Sequence, residues 1–230
     1  TMVEFNKMCS PNAPETPSCI VRWEGGNDYT VWASSQSPFI CKLYNGPRIP
    51  KSNLRVKTFN VGGSYGNKQT LSETILCCAS AAIKTGRPVK LVLSKAEQFA
   101  AHEQRLGSKI HAKIGMTEDG IFDAVQGCWY IDTGALCDAT QGQIGVGLGE
   151  AQLVMAKCRH WDLDSKCVVT NKCPAGIVRG YGGQELNSCL ARVMAHCMML
   201  ADKDPVEIFK KNYVNVGDKY YWRDGLIWQN

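Results

Sequence analysis

Two glycine-rich segments could bring backbone N–H groups close to a bound anion. The first glycine loop, "VGGSYGNK" at residues 61–68, and the second, "RGYGGQ" at residues 179–184, each place one tyrosine among glycines. Glycine has no Cβ and adopts positive φ readily, so its backbone can approach another group closely. Each loop lies between extended chain and a predicted helix, whose N-terminal N–H groups attract anionic oxygens. The pair of loops predicts a bulky anionic ligand, and a structural tight turn is the alternative for either loop alone.

Neither loop has the spacing of a known nucleotide-binding motif. A P-loop needs glycine directly before its lysine and a hydroxyl residue directly after it, whereas Lys68 lies between Asn67 and Gln69. The G-x-G-x-x-G dinucleotide fingerprint is not in register in either loop. The spacing thus argues against a nucleotide-binding module, which is kept as a rival hypothesis. Binding assays with ATP or GTP and Mg²⁺ would test it.

The elements around the loops predict an α+β fold with mixed sheets. Residues 18–36 predict a hairpin with its turn at 25–28, and residues 53–61 alternate like a half-buried strand that ends at the first loop. An amphipathic helix follows each loop, and the first of these ends at Gly86. Because strands and helices do not alternate as regular βαβ units, α+β is favoured over α/β.

The remaining segments predict further elements. Residues 89–94 are expected to form a short buried strand, and residues 109–134 form a long hairpin with an Asp-Gly turn. The glycine-rich residues 135–150 are expected to form a loop. Asp204 and Pro205 mark the start of a last helix, as N-cap and first helical residue.

Composition limits the partners and the compartment. The net charge of +5 comes from dispersed residues without a basic block, so nucleic acid is not expected as a partner. The chain has no run of about 18 apolar residues and its start lacks a signal-peptide core, which predicts a cytoplasmic protein without a membrane span. The 12 cysteines lack a C-x-x-C motif and are expected to be reduced and mostly buried, among them Cys77, Cys78, Cys128, Cys167, Cys189 and Cys197.

Six segments in the same order resemble the molybdenum hydroxylases, the xanthine oxidase and aldehyde oxidase family, in the region that binds molybdopterin. "WASSQSPF" resembles the family's S-T-Q segment, "VGGSYGNK" its G-G-G-F-G-G-K loop, and "TGRPVKLVLSKAEQF" its T-G-R-P-V-K segment. "EDGIFDAV…DTGA" resembles its D-G…D-x-G-A hairpin, "PAGIVRGYGGQE" its A-F-R-G-F-G-G-P-Q loop, and "DPVEIFKKN" its D-P-x-E helix. The resemblance implies that residues 1–230 are one piece, the N-terminal half of a molybdopterin-binding domain within a longer chain or complex.

The resemblance also implies roles for individual residues. Gln36 matches a glutamine that hydrogen-bonds an oxygen ligand of molybdenum, and Arg105 matches an arginine that stabilises charge developing on the substrate. Tyr65 and Tyr181 match two aromatic pocket residues, which predicts that they line one cavity. A polar strand end for Gln36 and an ordinary loop ion pair for Arg105 are the alternatives. The other candidates are the substrate-pocket residue Gln69 and the cofactor-binding residues Gly63, Ser64, Gly66, Arg179 and Gly180.

For the complete protein, the resemblance implies an enzyme that oxidises a heteroaromatic or aldehyde carbon with water as the oxygen source. The cofactor is molybdenum on molybdopterin, with a cytosine dinucleotide as one form, and the pterin rather than this chain supplies the metal's ligands. Iron–sulfur clusters and FAD are expected on partner domains or subunits. A non-catalytic partner or assembly domain with the same fold is the alternative.

The sequence departs from the family pattern at positions that bear on the substrate and on catalysis. Gln69 stands where purine-hydroxylating members carry a glutamate, so simple xanthine chemistry is not favoured. The family's general base is expected beyond Asn230, in the other half of the domain. Glu150 lies in "GVGLGEAQ", which superficially resembles a base motif, but it precedes the second loop and is interpreted as a decoy.

Overall fold

The computed structural model describes residues 2–6, 9–49, 53–136, 140–220 and 226–227. It divides the chain into two compact units. Unit 1 comprises Thr1–Cys9, Leu106–Ala175 and Gly180–Asn230, and unit 2 comprises Ser10–Arg105 and Gly176–Arg179. Each unit has its own sheet and its own hydrophobic core, which confirms the α+β prediction.

The helices and strands are numbered in chain order. They are β1 (Met2–Asn6), β2 (Ser18–Gly25), β3 (Asp28–Ala33), α1 (Pro38–Asn45), β4 (Asn53–Lys57), α2 (Ser72–Thr85), β5 (Val89–Val92), α3 (Lys95–Ala101), β6 (Gly107–Met116), β7 (Phe122–Gly134), α4 (Thr140–Val154), β8 (His160–Val169), α5 (Gly183–Leu200), α6 (Pro205–Asn212), β9 (Lys219–Tyr220) and β10 (Leu226–Ile227). A short 3-10 helix, Gly46–Arg48, follows α1.

Unit 2 contains the predicted hairpin of β2 and β3 within a sheet of strand order β4-β3-β2-β5. Strand β4 pairs with β3 in parallel, and the first glycine loop follows β4. Helix α2 buries Ile75, Cys78 and Ala79 in the core of the unit, as its 3.6-residue spacing predicted, and Gly86 ends it in the left-handed conformation. The same spacing predicts that Ile83 lies on this face as well, but its side chain is 45% exposed.

Unit 1 is built on the predicted long hairpin of β6 and β7 in a sheet of order β1-β6-β7-β8. Helix α5 packs Leu186, Leu190 and Val193 into the core that contains the fully buried Trp129. Asp204 caps α6 by accepting hydrogen bonds from two backbone N–H groups, as predicted. The α6 residue Asn212 is fully buried, and its side chain donates to the carbonyl of Gly120 in the Asp-Gly turn and accepts from the N–H of Phe122.

The structure corrects the prediction of a loop over residues 135–150. Residues 140–154 form helix α4, although four glycines lie within it and each costs a helix about 1 kcal/mol relative to alanine. A Cβ on Gly147 would lie 2.8 Å from the carbonyl oxygen of Gly182 and 3.1 Å from the Trp129 ring. The glycines therefore allow α4 to pack closely in unit 1, which a loop prediction from composition does not foresee. Residues 137–139 lie outside the described residues.

Two burial predictions are also wrong. Strand β5 alternates half-buried and exposed residues because it lies at a sheet edge, so it is not a fully buried strand. Five of the eleven described cysteines are buried, whereas Cys77 and Cys167 are exposed. Cys77 projects from α2 away from the core that buries Cys78, and Cys137 lies outside the described residues.

Candidate cofactor-binding site

Gln36, just after strand β3, connects to the first glycine loop through its side-chain amide. Its Oε1 accepts a hydrogen bond from the N–H of Gly66 at 3.1 Å and another from the hydroxyl of Ser64. Its Nε2 donates to Oε1 of Gln69 at 3.3 Å. The amide oxygen and one amide N–H are used at the loop, so the exposed Gln36 side chain keeps one N–H donor for a further acceptor. The structure thus brings together four of the predicted site residues.

A fully buried lysine supports the same loop from within unit 2. Lys68 places its Nζ 2.6 Å from a carboxylate oxygen of Glu15, which also accepts from the N–H of Gly62 at 2.9 Å. Burial lowers the pKa of Lys68, and the carboxylate of Glu15 opposes that shift. Burial alone would raise the pKa of Glu15, but the hydrogen bonds from Lys68 and Gly62 bring it below its usual value. The lysine therefore acts as a structural cation under the loop.

One glycine of the loop is required by contact with the protein's own backbone. Gly66 has φ of +109°, and a Cβ there would lie 2.4 Å from the carbonyl oxygen of Ile177. No side chain fits at that distance, and L-residues rarely adopt that φ. The structural-turn alternative therefore explains Gly66, and the predicted close approach to a ligand is not needed for it. Gly63, with φ of +89°, would place a Cβ 3.1 Å from Pro14.

Arg105 and Arg179 are brought together in unit 2. A guanidinium nitrogen of Arg105 donates to the carbonyl oxygen of Arg179 at 2.6 Å. The N–H of Arg179 in turn donates to the carbonyl oxygen of Tyr65 at 2.7 Å. Arg179 is exposed, whereas Arg105 is half-buried. Arg105 thus orders the backbone beside the loop, and its predicted action on substrate charge stays a prediction.

Tyr65 is held in a strained backbone conformation. It has φ of +57°, which bulky L-residues adopt rarely and at a cost of about 1 to 3 kcal/mol. Its side chain is 49% exposed, so burial of the ring does not explain the strain. Tyr181 has φ of +41°, so both predicted pocket aromatics are among the four described non-glycine residues with positive φ. Such strain clusters at ligand and catalytic sites, which supports a functional role for both.

The second glycine loop continues in unit 1, where residues 180–184 lead into α5. The N–H of Gly182 donates to the side chain of Glu185 at 3.0 Å, so the helix start is capped from within. A Cβ on Gly182 would lie 1.9 Å from the carbonyl oxygen of Gln143, which explains the glycine. Burial and the nearby Glu185 raise the pKa of Glu150, the residue interpreted as a decoy. Tyr65 and Tyr181 belong to different units, so their common cavity stays a prediction.

Glu103 is 1% exposed, and no sequence motif predicted it as a site residue. Burial, reinforced by the charge of Glu73, raises the pKa of Glu103 to about 7, although Thr70, the N–H of Ile177 and Arg48 act to lower it. The neighbouring His102 places its Nε2 2.6 Å from the carbonyl oxygen of Asn67, and burial lowers its pKa. The partners of Glu103 lie 33 and 74 positions away in the sequence, so no local pattern indicates them.

The described residues fit a polar, anionic cofactor without supplying ligands to its metal. Asn67 is fully buried in the first loop, and neither polar atom of its side chain has a hydrogen-bond partner among the residues that the structure describes. Buried polar groups are normally satisfied, so this amide calls for a polar partner such as water or a ligand group. Together with the Gln36 amide and the Arg179 guanidinium, the loop offers donors to anionic oxygens. Within the described ranges, no group of three or more His, Cys, Asp or Glu side chains could hold a metal ion.

One described cavity lies elsewhere in unit 2. Its volume is about 710 Å³, and Arg22, Glu24, Arg55 and Lys57 are among the residues of β2 and β4 that line it. A second cavity of about 250 Å³ is lined in part by Glu15 and by residues of β2 and β3. Neither includes a predicted site residue, so cavity size does not locate the site here. Among the described residues, no helix is long and apolar enough to cross a bilayer.

Comparison with known proteins identifies the family. The model of the molybdopterin cofactor-binding domain matches residues 6–213. The chain therefore belongs to the molybdopterin cofactor-binding domain family of the molybdenum hydroxylases, which confirms the resemblance.

Individual relatives agree with this assignment. The chain is 30% identical over 207 residues to the xanthine dehydrogenase molybdenum-binding subunit of Escherichia coli O157:H7, covering 89% of this chain and 27% of that subunit. It is 31% identical over 197 residues to the nicotinate dehydrogenase large molybdopterin subunit of Eubacterium barkeri, covering 83% of this chain and 45% of that subunit. The first relatives that it matches are about four times as long as the aligned region, which spans 22 to 27% of their length.

Solved structures share the fold. The aldehyde oxidoreductase of Desulfovibrio gigas superposes with a TM-score of 0.79 at 21% identity, covering 95% of this chain and 24% of the other. The quinoline 2-oxidoreductase of Pseudomonas putida 86 gives a TM-score of 0.74 at 23% identity, covering 99% of this chain and 30% of the other.

Proposed function

We propose that this chain is the N-terminal half of the molybdopterin-binding part of an enzyme that oxidises a heteroaromatic or aldehyde carbon with water as the oxygen source. The observation that carries the proposal is the first glycine loop, where Gln36 is hydrogen-bonded to Ser64, Gly66 and Gln69 and keeps one amide N–H for a further acceptor. The strained and exposed Tyr65 at the same place supports it.

The residues of the first loop would hold the cofactor and orient the substrate. When bound, the molybdenum cofactor supplies the redox centre that takes two electrons from the substrate carbon. The Gln36 amide would donate to an oxygen of the cofactor, and Tyr65 would form part of the substrate pocket with Gln69 beside it. Gly63, Ser64 and Gly66 keep the loop close-packed, so that its donors are preorganised.

The second glycine loop would contribute Arg179, Gly180 and Tyr181. The guanidinium of Arg179 suits an anionic cofactor oxygen because it is permanently charged and exposed. Arg105 would favour charge that develops on the substrate, through the same guanidinium group that orders the Arg179 carbonyl. Tyr181 would provide the second aromatic wall of the pocket.

The general base and the electron-transfer groups are assigned to other parts of the enzyme. We place the base in the C-terminal half of the domain, and iron–sulfur clusters and FAD on further domains or subunits. The cytoplasm is the proposed compartment. A positioned base is worth roughly 10² to 10⁴ in rate, so this 230-residue piece alone is expected to be inactive and to hold the cofactor weakly.

Dye reduction with a panel of aldehydes and N-heterocycles tests the function. The complete protein should reduce the dye with at least one member of the panel, and residues 1–230 alone should not. Recombining this piece with the remainder of the domain should restore turnover if both fold separately. Turnover by the isolated piece would contradict the placement of the base, and cofactor-free complete protein would favour the assembly-domain alternative.

A further inference from the structure

Glu103 is a buried carboxylate whose two oxygens bond two separate segments of unit 2. One oxygen accepts from the hydroxyl of Thr70 at 2.7 Å, just beyond the first glycine loop. The other accepts from the N–H of Ile177 at 3.3 Å. A Cβ on Gly176 would lie 2.1 Å from the carboxylate, so the backbone of this segment rests directly against Glu103.

The two segments that Glu103 joins also carry predicted site residues. Gly66 packs against the backbone of Ile177, and the N–H of Arg179 donates to the carbonyl of Tyr65. The position of Ile177 therefore determines how the Tyr65 backbone and the Arg179 backbone meet. Thr70 is itself fixed, since Asn45 donates to its carbonyl oxygen at 2.8 Å.

We propose that Glu103 is a positioning residue, which ties the first glycine loop to the Gly176–Arg179 segment and so fixes Tyr65 and Arg179 for the cofactor and substrate. This inference rests on the proposed function for its effect on catalysis, whereas its structural part does not. A buried carboxylate is costly unless hydrogen bonds or counter-charges satisfy it, and at this junction each oxygen of Glu103 accepts a hydrogen bond from a different segment.

The surroundings of Glu103 make its charge state sensitive to pH near neutrality. Glu73 raises the pKa of Glu103 and Arg48 lowers it, and His102 faces Glu73 with 3.7 Å between Nδ1 and Oε2. Protonation would turn one acceptor into a donor and weaken the bond from Thr70 or from Ile177. The acid side of the pH–rate profile should therefore carry the titration of Glu103.

Hydrogen exchange of the complete protein tests the positioning directly. Glu103→Leu removes both acceptors at similar volume, and Thr70→Val removes one donor without changing shape. Each should speed exchange of the Ile177 and Arg179 amides by about fivefold or more, the effect of losing roughly 1 kcal/mol of hydrogen bonding. Amides of strand β3 in the same unit should keep their rates, and Glu103→Gln should lie closer to wild type because its amide can bond both groups.

Kinetics separate positioning from general stability. Glu103→Leu should lower kcat/KM about tenfold or more. Thr70→Val should shift the acid limb of the pH–rate profile to higher pH, because the hydroxyl that lowers the pKa of Glu103 is gone. The control is Glu118→Gln, at an exposed hairpin turn of unit 1, which should change none of these measurements.

The outcomes distinguish this inference from the proposed function. Wild-type protein that lacks molybdenum and pterin would refute the proposed function. The exchange data would still test whether Glu103 links the first glycine loop to the Gly176–Arg179 segment. Unchanged amide exchange at Ile177 and Arg179 in the variants would overturn the inference. An equal increase in the exchange rates of the β3 amides would overturn it as well. Should Glu103→Leu fail to fold, Thr70→Val alone decides, since it leaves the carboxylate in place.

Discussion

The two glycine loops are closed by the same kind of backbone contact but are supported by different side chains. In both, one glycine of positive φ lies against a carbonyl oxygen, Gly66 against Ile177 and Gly182 against Gln143. The first loop is supported by its own last residue, the buried Lys68, and it holds the exposed side-chain amide of Gln36. In the second loop, the glycine N–H is already bonded to Glu185.

This difference shows that similar glycine patterns need not offer the same donors. A helix N-terminus attracts anions only while its N–H groups are free, and the chain's own carboxylate occupies one of them at α5. The first loop instead offers side-chain amides held in place by its backbone. We therefore assign the closest contacts with the cofactor to the first loop and to the guanidinium of Arg179.

Adding a methyl group at the closing glycines should have the largest effect. Gly66→Ala and Gly182→Ala each meet a backbone oxygen and a disfavoured φ, so each should lower the free energy of unfolding by at least about 3 kcal/mol. Gly25→Ala is the matched control, because Gly25 has φ of +100° with nothing within 4 Å of a Cβ. It should cost about 1 kcal/mol in urea unfolding. An equal loss of unfolding free energy in Gly25→Ala and Gly66→Ala would show that contact with the carbonyl oxygen does not contribute to the cost.

The pH dependence of stability should carry the titration of the buried Glu103. The pKa of Glu103 rises from 4.5 to about 7 on folding, so the folded chain takes up a proton in that interval. Its contribution is therefore most favourable below about pH 4.5 and is lost as the pH rises to about 7, by on the order of 3 kcal/mol. Glu103→Gln should remove this slope from the unfolding free energy of unit 2. A parallel pH profile for wild type and variant would contradict the burial of an ionisable Glu103.

The buried cation under the first loop predicts a smaller and asymmetric effect. Glu15→Gln leaves the charge of Lys68 buried without its partner and should cost about 2 kcal/mol, because the Glu15 side chain is 36% exposed and the pair is only partly desolvated. Lys68→Met removes the charge itself and should cost less. Arg159→Met breaks the exposed pair with Asp123 in unit 1 and should cost less than either of these changes in the same unfolding assay, because water screens that pair. A larger loss from Lys68→Met than from Glu15→Gln would reverse this account.

The strained tyrosines should show the smallest change in stability. Tyr65→Gly relieves the positive φ and loses little packing, so the unfolding free energy should stay the same or rise by up to about 1 kcal/mol. Tyr181→Gly should instead lower it by about 1 to 2 kcal/mol, because that ring is half-buried with its hydroxyl near Gly142. Calorimetry on the two variants checks this. A clear loss of stability in Tyr65→Gly would mean that the strain is structural and not functional.

The sequence predicted those parts of the molecule that depend on local patterns. Periodicity located α2 and α5, turn residues located both hairpins, and Asp204 with Pro205 located α6. The helix α4 was missed because a local pattern does not contain the contacts of its glycines, such as that of Gly147 with Gly182 and Trp129. Cys77 and Cys78 are adjacent, and only the helix orientation determines that one is exposed.

The sequence predicted those candidate site residues that belong to the motifs themselves. Gln36, Ser64, Gly66 and Gln69 meet in the structure, although 33 positions separate the first from the last. Glu103 and the support from Lys68 and Glu15 were not predicted, because their role arises from contacts between distant segments. Burial of a charged residue is visible only once the fold is known.

Cofactor binding is tested by measuring molybdenum and pterin in the complete protein, isolated from its own host. We expect stoichiometric molybdenum together with a pterin that is released on denaturation and fluoresces after oxidation. Preparations that carry neither group, from cells that load other molybdenum enzymes normally, would contradict it.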